Sequence, residues 1–479
     1  MAMTEDLRSL CFQQVDQAII GAEIQLSKED VGAFVSGFDR GISIRLDTPR
    51  APKRFGNGLM FALPMLKGEV NIVDLLLIEA VRAFYPPIYE VIRANHAACS
   101  GVESNFRRHG YDGSRAVALL NPMIDSLPAE EQEAIKSLLK ALFPRLGSAY
   151  GGGGYGADWL SAWAKAKRIC SPDYCPRYFS YSVPMGDVRD SEMNALYSKA
   201  SRESAAEIGK EVAAYFAAGK AKRIIERMRQ QEKSTLPEAL PSLCVAIAAN
   251  AKLIPNPPSM LSYAEPVSQA GILISQLIGL LPPGKPRVTL SKQVIESADP
   301  LWFGSEVLCW LYVTDDADKA DSNTLTKEQH EEVGKLLVER IKAHAISGQT
   351  LFSIEVPREQ SLLFHWQRVD GRDPVQAHLS AVFSSNYENI AIFLQAMAGL
   401  SWGLNDGTPH VAELRTNQFE NIGRIYDPDS FASLVKAHMA GDFVNPKYYP
   451  ESDRSIEQRL AEQFIIIYNN WKKGGELPD

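Results

Sequence analysis

Helix-forming patterns dominate this sequence and constrain its fold more than any other feature. Three segments open with a capping box, in which a Ser or Thr side chain and an acid or amide three residues later satisfy free backbone amides at a helix start. These boxes begin at Ser27, Thr326 and Ser455. Apolar residues at three- and four-residue spacing follow the second and third boxes, as on one face of a helix. We therefore predict a mainly α-helical protein.

The third box leads into a stripe of apolar residues with helical spacing. Its members are Ile456, Leu460, Phe464, Ile467 and Trp471. Residues at this spacing share one helical face, so we predict that Trp471 is buried and that this helix ties down the C-terminus.

Strand signals are scarce. The segments "RVTLSKQVI" (287–295) and "QTLFSIEVP" (349–357) have short strand-like patterns, and neither is followed by a hairpin turn of the Asn-Gly kind. Helical patterns separated by short Pro-containing loops instead indicate stacked helical pairs, as in a solenoid-like array. The Gly-rich segment "YGGGGYG" (150–156) predicts an exposed, mobile turn.

Composition limits the class of protein. With 479 residues the chain is too long for one simple core, and two or three domains are expected. A net charge of −8 argues against general nucleic-acid binding, which needs clustered cations. The longest apolar run, from Ala270 to Leu281, is too short for a bilayer span and predicts a buried core helix. No secretion signal is recognised, and six irregularly spaced cysteines are typical of a reducing compartment, so we expect a cytoplasmic protein without a membrane anchor.

Familiar catalytic motifs are not found in the chain. The phosphate loop Gly-x-x-x-x-Gly-Lys-Ser/Thr and the serine-hydrolase elbow Gly-x-Ser-x-Gly do not occur. In "HEEVG" Gly334 stands where a metalloprotease helix needs its second His. Cys170 and Cys175 have no second pair at a zinc-like distance. We therefore expect neither a bound metal nor ATP hydrolysis from this chain alone.

Two stretches carry a more specific signal. The first contains "TPRAPKRF" (48–55) and, after an apolar helix, "VNIVDLL" (70–76). The second contains "KRICSPDYCPRYF" (167–179). Together they resemble the C-terminal part of KAP-family P-loop NTPases, which belong to the STAND/AAA+-like class. The resemblance covers residues 1–195, and Gly56 departs from it because that family more often has a larger residue there.

The resemblance implies an architecture. Residues 1–110 would form a lid-like helical domain, residues 111–195 a helical connector with the Gly-rich turn and the second motif, and residues 196–479 a helical platform. The nucleotide-binding core of the family would lie before Met1. The chain then corresponds to the C-terminal half of such an NTPase, as a truncated product or as one partner of a split gene.

The resemblance also implies a nucleotide-facing role for Arg50, Lys53 and Arg54. In related NTPases the first lid helix presents a cation to the terminal phosphate. These three residues occupy the first turns of a predicted helix, where free amides also favour an anion. Arg50 is the first expectation because it directly follows Thr48-Pro49. The alternatives are that the three cations are solvated, or that Arg54 pairs with Asp47.

The second stretch has a structural interpretation and a functional one. Its aromatic residues are expected to wedge a long loop into the helical body. They are Tyr174, Tyr178, Phe179 and Tyr181. Its cations are the alternative, a basic rim that meets an acidic partner surface. They are Lys165, Lys167, Arg168 and Arg177.

Three hypotheses of function follow. In the first, the chain is the regulatory and sensing half of a KAP-type NTPase. It would couple the ATP and magnesium state of a core, in cis or in trans, to recognition of a protein partner or another copy of itself. Prokaryotic defence is a setting that the resemblance implies. The second hypothesis is a stand-alone helical interaction scaffold without nucleotide coupling, and the third is an enzyme with an unfamiliar site.

Overall fold

A computed structural model shows a chain that is helical almost throughout. It describes residues 2–102, 113–150, 153, 155–156, 158–232, 235–257, 262–316, 322–356, 358–403, 407–449 and 454–474. Regular structure in these ranges consists of 25 α-helices, a few 3-10 turns and two three-residue strands. The prediction of a mainly helical protein is confirmed.

The chain divides into two compact units, Met1–Ala195 and Leu196–Asp479. Both the predicted lid-like segment and the predicted connector lie in the first unit. Its helices are α1 (Ala2–Gly21), α2 (Lys28–Gly41), α3 (Arg50–Leu66), α4 (Ile72–Phe84), α5 (Pro86–Ala94), α6 (His96–Cys99), α7 (Gly113–Asp125), α8 (Ala129–Leu142), α9 (Pro144–Ala149), α10 (Asp158–Lys165), α11 (Cys175–Ser180) and the start of α12 (Asp190–Ala200).

Helix α4 is the centre of the first unit. Every residue from Asp74 to Val81 is buried, because α2, α3 and α5 all pack against this helix. Asn71 caps its start, and its side chain accepts a hydrogen bond from the backbone amide of Asp74. The apolar sequence of α4 therefore makes it a core element, and any charged residue within it needs a partner.

Gly56 allows α1 and α3 to approach closely. A Cβ at this position would lie 2.6 Å from Oε1 and 2.7 Å from Cβ of Gln14 on α1. A larger residue would force α1 or the Gln14 side chain to move. Glycine at position 56 thus has a local packing reason in this chain.

The second unit holds the remaining helices and both strands. They are α13 (Ala205–Ala217), α14 (Ala221–Gln231), α15 (Leu240–Ala249), α16 (Pro266–Gly279), α17 (Lys285–Ser297), α18 (Leu301–Leu311), α19 (Lys327–Ile346), α20 (Ser361–Asp370), α21 (Arg372–Ser385), α22 (Glu388–Ala398), β1 (Leu400–Trp402), β2 (Pro409–Val411), α23 (Thr416–Ile425), α24 (Pro428–His438) and α25 (Ile456–Lys472).

Helices of the second unit pack in alternation along the chain. Helix α13 contacts α15, which contacts α17, which contacts α19, while α14 contacts α16 and α16 contacts α18. Each helix therefore packs on the one two places further on, as in stacked helical pairs. The predicted core helix at 270–281 lies largely in α16, whose residues are mostly buried.

Local helix signals were read correctly. Ser27, Thr326 and Ser455 each cap a helix and form the reciprocal hydrogen bonds of a capping box. The segment at 287–295, whose sequence has a short strand-like pattern, lies within α17 and buries Val288 and Ile295 on one face. The segment at 349–356 forms no regular element, and the strands lie instead at 400–402 and 409–411, where they pair antiparallel.

The prediction for the C-terminal stripe is correct in its middle and wrong at its end. Leu460, Phe464 and Ile467 are fully buried, whereas Ile456 and Trp471 are each 43% exposed. Trp471 contacts Phe419, with ring centroids 6.0 Å apart, and Tyr468 on its own helix, with ring centroids 6.2 Å apart. The last turn of α25 therefore keeps its apolar side chain half in solvent.

Candidate functional site: the α3–α4 cation site and its polar seam

The predicted site residues lie at the start of α3. The helix begins at Arg50, after Pro49, whose φ of −64° already suits a helix. Pro52 is tolerated here because the first amides of a helix have no intrahelical acceptor. Arg50, Lys53 and Arg54 are all exposed on these first turns. The structure therefore brings the three cations together on one surface.

The three cations differ in how they are held. Arg54 donates a hydrogen bond to the backbone carbonyl of Ala83, near the end of α4. Within the part of the chain that the structure describes, Arg50 and Lys53 make no ion pair or side-chain hydrogen bond. Arg54 likewise makes no ion pair with Asp47 there, so that alternative is wrong. Arg54 is positioned, whereas Arg50 and Lys53 extend into solvent.

Arg54 lies beside a cleft of about 350 Å³ between α3 and α4, called here the Arg54 cleft. Its lining includes Arg54, Gly58, Glu79, Arg82, Ala83 and Pro86. A Cβ at Gly58 would lie 2.9 Å from Nη2 of Arg82, so glycine keeps room here for that guanidinium. The cleft thus places two guanidinium groups and one carboxylate on its walls.

The carboxylate of Glu79 is buried in a network of polar side chains. The Tyr181 hydroxyl donates to its Oε1 at 2.6 Å, and Nε of Arg82 pairs with its Oε2 at 3.0 Å. Arg82 also donates through Nη1 to the Tyr181 hydroxyl at 2.8 Å. Burial raises the pKa of Glu79 above its ordinary value, although Tyr181 and the Arg82 charge oppose the rise. Arg82 is therefore already paired with Glu79. Arg54 only donates to a backbone carbonyl, so it is the cation of the cleft that is more available to an anion.

Arg177 of the second stretch is fully buried and was wrongly placed on a basic rim. Its Nη1 pairs with Glu69 at 2.7 Å and its Nη2 with Asp187 at 2.7 Å, while Asp190 lies 3.3 Å from Nη1. The guanidinium also lies over the Tyr174 ring, 4.7 Å from the centroid. Buried charges are tolerated when they are paired in this way, so Arg177 has a structural role.

Arg168 and Lys167 also pair with buried acids. We call these two residues, Arg177 and the acids that they meet the polar seam. Arg168 pairs through Nε with Oδ2 of Asp74 at 2.6 Å, and Lys167 pairs with Asp190 at 2.8 Å. The Tyr178 hydroxyl donates to the carbonyl of Lys167 at 2.7 Å and accepts from the amide of Asn71 at 3.0 Å. The two motif stretches named from the sequence are thus joined directly, and only the exposed Lys165 remains of the predicted rim.

The aromatic side chains of the second stretch pack as expected. Tyr174 and Tyr178 are buried at 2% and 0% exposure, and Phe179 and Tyr181 are half-buried. Tyr181 has a positive φ of 50°, a backbone conformation that costs energy for a residue with a Cβ. Its hydroxyl contacts with Glu79 and Arg82 hold it there. The predicted packing of these aromatic side chains is confirmed, although Tyr178 and Phe179 lie in α11 and not in a long loop.

Helix α3 continues from the cations into an exposed apolar surface. Met60, Phe61 and Met65 are 47%, 55% and 50% exposed. Phe61 contacts Tyr181, with ring centroids 5.4 Å apart. One helix thus presents unpaired cations at its start and exposed apolar side chains along its later turns.

Part of the predicted Gly-rich turn lies outside the described residues, namely Gly151, Gly152 and Gly154. Gly153, Tyr155 and Gly156 are exposed and belong to no helix or strand. In the described ranges there is no group of three or more His, Cys, Asp or Glu residues placed to hold a metal ion. No described helix is both long enough and apolar enough to cross a membrane.

The acids of the polar seam and Glu79 were missed from the sequence. Asp74 and Glu79 lie in the apolar run "IVDLLLIEAVRAF", and Glu69 precedes it. Two acids inside a core helix are a usable signal, since a buried carboxylate needs cations or hydrogen-bond donors. What could not be read was which distant cations would supply them.

Comparison with known proteins adds no assignment: no protein-family model, no curated protein and no solved structure matches this chain.

Proposed function

We propose that this chain is the regulatory and sensing half of a KAP-type P-loop NTPase. It would couple the ATP and magnesium state of a nucleotide-binding core, present in cis or as a partner chain, to recognition of a further protein. Its place of work is the cytoplasm, and prokaryotic defence is the setting that the resemblance suggests. One observation carries the proposal: three exposed cations share the first turns of α3, and Arg50 and Lys53 have no partner within the described residues.

The physical argument concerns charge at a helix start. The helix dipole makes this end positive, so three added cations are mutually unfavourable there unless an anion is nearby. A terminal phosphate carries concentrated negative charge and accepts hydrogen bonds from both guanidinium groups and free amides. In a chain with a net charge of −8, this cluster is a local exception that a phosphate would explain.

The geometry favours Arg54 over Arg50, the first expectation from the sequence. Arg54 is anchored by the carbonyl of Ala83 and lies on the wall of the Arg54 cleft, whereas Arg50 has no anchor. A cation held in place before the reaction stabilises developing charge without reorganisation. Arg50 and Lys53 would then strengthen phosphate attraction from solvent at longer range.

The test uses the chain reconstituted with its nucleotide-binding core. We expect Arg54→Ala to lower ATP turnover by about 30- to 1,000-fold, corresponding to about 2–4 kcal/mol for one lost donor in a preorganised site. Arg50→Ala and Lys53→Ala should have smaller effects. Arg93→Ala is the matched control, because Arg93 is an exposed helical arginine whose partner is Glu90 on the same helix.

The outcome that would refute the proposal is wild-type turnover in all three variants at α3. Equal losses in the Arg93 variant would also refute it, since the effect would then be one of net charge.

A stand-alone interaction scaffold is the second candidate function. The observation that favours it is the exposed apolar surface formed by Met60, Phe61 and Met65. Replacing Met60 and Met65 together with Glu would abolish partner binding in either case. The DNA upstream of the start codon distinguishes the two functions: an open frame with a phosphate loop favours the NTPase half, and an unrelated gene favours the scaffold.

A further inference from the structure

A second cleft lies on the other side of α4, away from the cations of α3. It has a volume of about 270 Å³ and is bounded by α2, α4 and the end of α8. We call it the Asp74 cleft. Its apolar wall includes Val73 and Leu77 of α4 and Leu142 of α8. An apolar wall with a few convergent polar groups is the usual composition of a small-molecule site.

Asp74 supplies a buried carboxylate to this cleft. The residue is 3% exposed, and its Oδ2 accepts hydrogen bonds from Nε of Arg168 at 2.6 Å and from the amide of Ile169 at 2.9 Å. In the described part of the chain, its Oδ1 has no hydrogen-bond donor. A carboxylate oxygen accepts hydrogen bonds, so Oδ1 gives Asp74 capacity for at least one more donor from the cleft.

Burial raises the pKa of Asp74, although the charge of Arg168 and the two hydrogen bonds to Oδ2 oppose the rise. The ionised carboxylate is therefore less stabilised by its protein surroundings than it would be in water. A cation or N–H donor entering the cleft would correct this deficit.

Arg40 supplies the opposite charge. It lines the same cleft from α2, and its side chain makes one hydrogen bond, to Oγ of Ser36 at 3.3 Å. Across the ranges that the structure describes, Arg40 has no ion pair. Arg168, by contrast, is occupied by Asp74 and by the carbonyl of Ala141 at 3.1 Å. Arg40 is thus the cation of the cleft that can accept an external anion.

The charges around the cleft are balanced. Arg40 and Arg168 are matched by Asp74 and by Asp30, which also lines the cleft and caps α2 through its Oδ2. An anion alone would pair with Arg40 and leave Oδ1 of Asp74 without a donor among the described residues, whereas a cation alone would leave Arg40 without an ion pair there. A ligand that carries both signs satisfies both Asp74 and Arg40.

We propose that the Asp74 cleft binds a small zwitterion of amino-acid size. The ligand's ammonium group donates to Oδ1 of Asp74, its carboxylate pairs with Arg40, and its apolar side chain packs against Val73 and Leu77. This inference concerns a ligand for the chain itself and does not depend on nucleotide coupling, so it can stand or fall separately from the proposed function.

The experiment is isothermal titration calorimetry of the whole chain with the common amino acids, followed by analogues of L-leucine. We expect L-leucine or another apolar amino acid to bind. Leucinamide lacks the carboxylate, 4-methylpentanoate lacks the ammonium group and glycine lacks the apolar part. Each should bind at least about tenfold more weakly, as expected when one charged contact or the apolar contact is removed.

Two variants locate the site. Arg40→Gln should weaken L-leucine binding by about tenfold and leave leucinamide binding unchanged, because leucinamide has no carboxylate for Arg40. Ala33→Phe should block the cleft, since Ala33 lines it from an exposed position on α2. Lys28→Gln removes the same charge from the same helix outside the cleft and should leave binding unchanged. Circular dichroism checks that each variant folds.

Two results would overturn the inference. The first is that no amino acid binds at millimolar concentration to the folded chain. The second is that binding is insensitive to both Arg40→Gln and Ala33→Phe, which would place the ligand elsewhere.

Discussion

The first unit has two cation-rich stretches, and their arginine and lysine side chains differ in burial and ion pairing. At the start of α3, Arg50 and Lys53 are exposed and unpaired within the described residues. In the second stretch, Arg177 is fully buried among three carboxylates and Arg168 is paired with Asp74. Both stretches are equally basic in sequence. The difference comes from which acids the fold brings to each of them.

The acids explain the contrast. Glu69 and Asp74 lie about a hundred positions before the arginines that they meet, whereas the first stretch has only the exposed Asp47 nearby. A cation can be buried only where charge partners and hydrogen-bond acceptors compensate for lost water. The comparison teaches that burial of a cation in this unit depends on acids that are remote in sequence. At the start of α3 three exposed cations lie close together, and this clustering is what marks them as a functional candidate.

The largest effect should come from Arg177. Arg177→Ala leaves Glu69 and Asp187 buried without this cation, while Asp190 keeps its pair with Lys167, so we expect a loss of about 3–5 kcal/mol in the free energy of unfolding. Chemical denaturation measures it. Arg8→Ala is the control, because Arg8 pairs with Asp39 at an exposed position and should cost at most about 1 kcal/mol. A loss below about 1 kcal/mol for Arg177→Ala would break the comparison.

Arg168 should have an intermediate effect. Its side chain is 30% exposed, and removing it deprives the buried Asp74 of its charge partner. We expect Arg168→Ala to lower the free energy of unfolding by about 1–3 kcal/mol. Lys165→Ala, in the same stretch but exposed, should leave stability almost unchanged. Similar losses in both variants would mean that net charge, rather than burial, decides.

A pH series sharpens the comparison at Asp74. Its pKa is raised in the folded state, so the folded protein binds more protons than the unfolded chain just above pH 3.8. Stability contributed by this group therefore rises as the pH falls from 7 towards about 4. Arg168 is the charged group that faces Asp74, and the nearby Tyr178, Cys170 and Cys175 have raised pKa values and stay neutral in this range.

The measurement compares wild type with Asp74→Asn by denaturation at each pH. Wild type should gain stability relative to the variant on acidification. Asp39→Asn provides the opposite sign, because the hydrogen bond from Arg8 lowers the pKa of Asp39, and its contribution is lost as the pH falls. If the stability difference from wild type changed with pH in the same direction for Asp74→Asn and Asp39→Asn, the burial of Asp74 as an ionised group would be contradicted.

The smallest effects are expected at the start of α3. In the chain alone, Arg50→Ala and Lys53→Ala should change the free energy of unfolding by less than about 0.5 kcal/mol, since both side chains are exposed and unpaired among described residues. Thermal denaturation checks this. A loss above about 1 kcal/mol would show that these cations stabilise the fold, and the functional interpretation would lose its basis.

Much of the local structure could be predicted from the sequence. The capping boxes at Ser27, Thr326 and Ser455 were identified correctly because their partners lie only three residues apart. The short strand-like pattern of 287–295 did not produce a strand, because its valines and isoleucine are buried in α17 and this packing overrode their strand preference. The predicted burial of Trp471 was wrong, because burial depends on the surrounding tertiary structure, which a periodic sequence pattern does not specify.

The candidate site was likewise predicted only in part from the sequence. The sequence predicted a helix start that carries Arg50, Lys53 and Arg54, and the structure places all three there. Only the structure distinguished Arg54, through the carbonyl of Ala83 at the far end of α4. It also shows that Arg177 lies in the interior and not on a surface rim. The sequence could not reveal this, because the burial of a charged residue depends on partners remote in sequence.

The sequence by itself determined which segments are helical and where several helices begin, because hydrogen bonds between neighbouring residues set those features. The tertiary structure alone decided which charges are buried, which oxygen of Asp74 lacks a donor and where the two clefts open. The physical reason is distance along the chain. A carboxylate and a guanidinium stabilise each other strongly only when they are close, and the contact between Asp74 and Arg168 joins residues 94 positions apart in the sequence.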